Sequence, residues 1–188
     1  MEQAIEILKQ GGVVIFPTDT AYGIGCRADN DDSIKRLFSL RRRPETKAMS
    51  ILIDSLEMAK RYVIDIPEDV EEKLIKKYWP GALTILLKSK NETSKRITGG
   101  GDTVGLRIPN HSVTLELIKG VGVGILGPSA NFSGKPTPYS LEDLDPELLK
   151  IVDFVVPGKC NLKQASTVID CSMSPWKIVR EGAIQLSS

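Results

Sequence analysis

Short, largely apolar runs closed by Pro or Gly recur along this chain of 188 residues, and they most constrain how it can fold. Val13-Val14-Ile15-Phe16 stops at Pro17, Ile51-Leu52-Ile53 follows Ser50, Ala82 to Leu87 follows Pro80-Gly81, and Val123 to Leu126 ends at Gly127-Pro128. Such runs lack polar alternation, so they read as strands covered on both faces. Between them lie segments of helical period. Ala4, Ile5 and Leu8 share one face over 2–10 before Gly11-Gly12, and Ile34, Leu37 and Phe38 do so over 29–40. Helices are also expected at 55–62, 67–78, 112–119 and near 141–150. Strands are expected at 104–108, 152–156, 166–170 and 176–180, with a polar loop from 88 to 102. The pattern predicts a single α/β domain over residues 1–188, built on a twisted mixed sheet. The strands are not spaced as regular βαβ units, which argues against an all-parallel doubly wound sheet.

Composition removes several kinds of chemistry. The 25 Lys and Arg nearly balance the 24 Asp and Glu, giving a net charge of +1, so no strongly basic nucleic-acid face is implied by charge alone. Three cysteines (Cys26, Cys160, Cys171) without a CxxC spacing argue against a disulfide framework and for a reducing, cytoplasmic setting. A single histidine, His111, follows the turn-like Pro109-Asn110 and reads as a helix-start or surface residue. One His and three scattered Cys make a poor zinc set. No apolar stretch approaches the roughly 18 residues of a membrane span, and Met1-Glu2-Gln3-Ala4 lacks the form of a signal peptide.

Three segments carry chemistry. In Phe16-Pro17-Thr18-Asp19-Thr20-Ala21-Tyr22-Gly23-Ile24-Gly25 a buried strand opens into hydroxyls, a carboxylate and glycines, as strand ends of α/β folds do where they meet ligands. The alternative is a tight turn holding a satisfied Thr-Asp pair. Between Ser33 and Lys47 stand six basic residues and one acid, Glu45. Cations there complement a helix C-terminus, or their guanidinium forks grip phosphates. In Leu126-Gly127-Pro128-Ser129-Ala130-Asn131-Phe132-Ser133-Gly134-Lys135-Pro136-Thr137 small side chains leave backbone N–H groups open as an anion nest. No GxxxxGK[ST] motif occurs. Gly99-Gly100-Gly101-Asp102 reads as a flexible connection.

Together these stretches resemble the YrdC/TsaC family of threonylcarbamoyl-AMP synthases, in its short single-domain form. The motifs PTDTAYGIG, RRRP-x-x-K and GPSANFSGKPT carry the resemblance, joined by Gly105-Leu106-Arg107-Ile108-Pro109, Ser166-Thr167-Val168-Ile169-Asp170 and Arg180-Glu181-Gly182. It extends from about residue 3 to 184. The resemblance implies an α/β fold around a positively charged cavity. It implies a nucleotidyltransferase that makes L-threonylcarbamoyladenylate and pyrophosphate from ATP, L-threonine and bicarbonate, with Mg²⁺ carried by ATP. A transferase complex would then pass the threonylcarbamoyl group to tRNA beside the anticodon, and weak tRNA binding would accompany it. By motif, Thr20, Arg107 and Ser166 would hold threonine. Arg43, Lys47, Thr103, Ser129, Thr137 and Arg180 would hold ATP. A tetrad of Arg41, Arg43, Ser129 and Asn131 would form the catalytic set. Arg41 stands where the family usually has Lys, and Leu52 where many members have His. Two other readings compete: an RNA-binding module without this catalysis, and a relative that forms carbamoyladenylate.

Overall fold

The computed structural model describes residues 1–186. Helix α1 (Glu2–Lys9) buries Ala4 and Leu8 and leads into strand β1 (Val14–Pro17), all four residues of which are buried. After a four-residue loop the chain returns as β2 (Tyr22–Gly25), antiparallel to β1 in the register Val14↔Gly25 to Pro17↔Tyr22. Helix α2 (Asp31–Leu40) starts at Asn30, whose side chain accepts from the Ser33 N–H, and buries Ile34, Leu37 and Phe38. The remaining strands are β3 (Ile51–Leu52), β4 (Leu83–Lys88), β5 (Thr103–Arg107), β6 (Ile125–Leu126), β7 (Phe154–Val155), β8 (Thr167–Asp170) and β9 (Lys177–Arg180).

Among the described residues these strands form two mixed sheets rather than one: β2-β1-β7, and β6-β3-β5-β4-β8-β9. Within the larger sheet β3 runs parallel to β5 and β4 parallel to β8, while the β4–β5 and β8–β9 pairs are antiparallel. The apolar runs read as covered strands are so: Val14, Ile15, Phe16, Ile51, Leu83 and Ile85 are fully buried. Helices pack over them, with Ser112–Val121 lying against α1 and β1. His111 takes the N-cap position of that helix, as expected, and all three cysteines are buried and free.

Four expected elements are also corrected. Tyr22 to Gly25 is a strand, not loop; two glycines weaken its intrinsic preference, but pairing on both edges overrides that. The expected loop 88–102 contains a helical turn, Lys95–Thr98, capped by Ser94 and ended by left-handed Gly99. The helix of 67–78 carries a π-helical stretch over Glu71–Ile75, and the one near 141–150 divides into a 3₁₀ turn and a helix from Pro146 to Ile151.

Candidate active site

The two sheets meet where three loops converge. The β2 edge is bonded to the segment after β6: Ile24 N–H donates to Pro128 O at 2.9 Å, and Ala130 N–H to Tyr22 O at 2.8 Å. This approach requires glycine at position 25, since a Cβ there would lie 1.9 Å from the Leu126 carbonyl oxygen. Arg41, the C-cap residue of α2, joins the same loop by donating through Nε to Asn131 O at 3.1 Å and accepting from Ser133 N–H at 2.9 Å.

A cavity of about 210 Å³ opens at this junction. Thr20, Arg41, Arg43, Arg107, Ser129, Thr137, Ser166 and Arg180 all line it, so eight of the predicted site residues share one hollow. Thr18 lines it as well and organises the loop: its hydroxyl donates to Ala21 O at 2.7 Å and lies 3.0 Å from Thr20 Oγ1. Arg107, at the end of β5, is 5% exposed. Its Nε donates to Gly81 O at 2.9 Å, Nη1 to Thr20 Oγ1 at 3.0 Å, and Nη2 to Asp19 Oδ1. Thus one guanidinium from the larger sheet bridges to the β1–β2 loop of the smaller. Arg180 on exposed β9 turns Nε and Nη2 onto Ser166 O, at 3.0 and 2.8 Å, and donates to Ser166 Oγ at 3.0 Å. Ser166 Oγ in turn lies 3.0 Å from Thr84 Oγ1.

Burial pushes the Arg41 guanidinium down to about 10, aided by neighbouring Arg43. Burial lowers Arg43 and Arg180 also. Arg107 is lowered mainly by burial and further by Arg180, against the opposing pull of Asp19. These guanidiniums remain cationic at neutral pH, so the hollow concentrates positive charge that an anion would relieve. Arg41 Nη1 is buried and has no hydrogen-bond partner.

Three predicted residues fall outside the lining. Thr103 lines an adjoining cavity of about 200 Å³ that shares Met49, Ser50 and Arg180 with the first. Lys47 sits on an exposed loop. Asn131 stands behind the wall, accepting from Ser129 Oγ at 2.5 Å and donating to Lys135 O at 2.7 Å. Leu52 is core, 1% exposed, under Gly127. Sequence reasoning left out Asp19 as the partner of Arg107 and Thr84 as the partner of Ser166; neither pairing has a local signature. Among the described residues no group of three or more His, Cys, Asp or Glu could hold a metal ion.

The Sua5_yciO_yrdC family model, described as "Telomere recombination", matches residues 6–182. Threonylcarbamoyl-AMP synthase of Bacillus subtilis (strain 168) is 37% identical over 187 residues, covering 97% of this chain and 53% of the relative. The chain therefore spans about half the length of the first curated relatives it matches. The crystal structure of Pyrococcus abyssi Sua5 complexed with L-threonine superposes with a TM-score of 0.91 at 36% identity, over 96% of this chain and 53% of that one. Escherichia coli YciO gives a TM-score of 0.84 at 27% identity, over 96% and 87%.

Proposed function

The chain belongs to the Sua5/YciO/YrdC family, and from that premise we propose that it makes L-threonylcarbamoyladenylate and pyrophosphate from ATP, L-threonine and bicarbonate. One observation carries this reading: four guanidinium groups and several hydroxyls line a single hollow at the seam of two sheets. The reaction joins a carboxylate, bicarbonate and a triphosphate, which repel one another. Each unscreened like-charge pair at ~4 Å costs about 4 kcal/mol at an effective dielectric near 20. Cationic walls remove that penalty before chemistry begins.

Arg107, with Thr20 and Ser166, would seat the threonine carboxylate. Arg41, Arg43, Ser129, Thr137 and Arg180 would face the nucleotide, with Lys47 reaching from its loop, Thr103 in the side cavity and Asn131 bracing Arg41 and Ser129. The threonine amine attacks bicarbonate, releasing water and forming a carbamate. A carbamate oxygen then attacks the α-phosphorus and the bond to pyrophosphate breaks. No His, Asp or Glu stands in the described lining, so positioning and stabilisation of departing negative charge carry the rate. The same lining does not fit a resident metal. Magnesium would arrive with ATP and neutralise part of the phosphate charge.

The product would be handed to a transferase complex acting on tRNA, with weak tRNA binding by this chain. The unpaired buried thiols support a reducing, cytoplasmic setting. No helix among the described residues is long and apolar enough to cross a membrane. The test is pyrophosphate release that requires threonine and bicarbonate together. Arg43→Ala should cut it steeply; normal turnover by that variant refutes the assignment. An RNA-binding module would release none.

A further inference from the structure

The loop that follows α2 carries Arg43 and Lys47, and residues 44–48 are all exposed. Arg43 folds it from inside, donating through Nη2 to Ala48 O at 2.9 Å and through Nε to Lys47 O at 3.3 Å. What fastens the loop to the body is the segment 94–99. Met49 N–H donates to Ile97 O at 2.9 Å. Gly99, at φ +63°, brings its backbone so close that a Cβ would stand 2.7 Å from Thr46 O and 2.9 Å from Ala48 N. The third tie is ionic. Arg96 Nε lies 2.9 Å from Glu45 Oε2, although the N–H is not aimed at that oxygen, while Nη1 donates to Asp31 Oδ2. Ser94 Oγ steadies Asp31 by donating to Oδ1 at 2.8 Å. One side chain thus gathers the first turn of α2 and the loop beyond its last.

We propose that Arg96 is a positioning residue, latching Glu45 so that Arg43 and Lys47 are presented to the polyphosphate of a nucleotide. The inference rests on the proposed function, but the latch is a property of this chain's geometry. A half-exposed ion pair contributes little to global stability. A surface loop, however, opens locally at small free-energy cost, so a weak tie sets its closed fraction. Apparent affinity falls in proportion to that fraction. Because the Glu45 contact is chiefly Coulombic, salt should weaken it.

The experiment uses Glu45→Gln, Arg96→Gln and the double variant, with amide exchange over residues 43–50 and calorimetry of ATP and of threonine. Glu45 is exposed, so Glu45→Gln should fold even if Arg96→Gln does not. Expected are faster exchange and an ATP Kd raised about 2- to 5-fold at low salt, shrinking at high salt, with threonine affinity unchanged. The double variant should be no worse than Arg96→Gln. Unaltered exchange in Glu45→Gln overturns the latch. Faster exchange with ATP affinity equal to that of the parent overturns the positioning role. Should the parent bind no ATP while exchange still accelerates, the latch stands and the nucleotide reading falls.

Discussion

Replacing Arg107 by Met tests whether the bridge between the sheets is as consequential as its burial implies. The Arg107 and Asp19 side chains are 6% and 4% exposed, and they pair across 88 residues of chain. Arg107 reaches Oδ1, and the buried Asp19 Oδ2 has no hydrogen-bond partner. Removing the guanidinium therefore strands a buried carboxylate and takes away the donors to Gly81 O and Thr20 Oγ1. Breaking a buried pair from one side costs about 3–5 kcal/mol, and the absence of a second donor to Asp19 places this case toward the upper end. Asp19→Asn alone keeps an acceptor for Arg107 and should cost about 1–3 kcal/mol. Adding Asp19→Asn to Arg107→Met removes the stranded charge and should recover at least ~1 kcal/mol, a strongly non-additive result. Urea unfolding at constant m-value reads all three variants. A penalty under ~1 kcal/mol for Arg107→Met, or simple addition of the two single penalties, would refute the reasoning.

Three further outcomes are expected. Hydrogen bonding from Arg36 holds the Asp153 carboxyl below the usual range, so its stabilisation is present above about pH 4 and lost as pH falls through the lowered value; Asp153→Asn should flatten that acid limb in urea titrations, by no more than ~1 kcal/mol for so exposed a pair. Burial pushes the Cys26 and Cys171 thiols up to about 12, so both should resist a thiol reagent at pH 8 and react once urea unfolds the chain; rapid labelling of the native protein would contradict the packing. Arg41→Lys keeps the charge but not the fork toward Asn131, so calorimetry should show ATP affinity within roughly tenfold of the parent, whereas Arg41→Met should abolish it.

The legible part of the fold was the part set by local chemistry. Short apolar runs such as Val13–Phe16, and Ala82–Leu87 with Thr84 as its one polar residue, read as covered strands, and capped helices such as α2 announce both ends. Tyr22–Gly25 was not legible, because its strand character comes from β1 on one side and the Ser129 bridge on the other. Lys95–Thr98 is a single turn, too short to show a period. The site divides in the same way. The hydroxyls and arginines were visible as motifs, and the fold brings most of them to one hollow. Direction was not visible: nothing in the motifs says that Asn131 faces Arg41 from behind, or that Thr103 opens into a side chamber. The long-range partners, Asp19 for Arg107 and Thr84 for Ser166, are written only in the tertiary structure.

Because Thr20 hangs from one sheet and Arg107, Ser166 and Arg180 from the other, whatever fills the hollow acts as a rivet across the whole molecule. Occupancy should be felt far from the rivet as heat resistance in both halves, scaling with ligand concentration over Kd. Conversely, any slip between the halves dismantles the grip at once, so the chain cannot loosen there and keep its hold on a ligand.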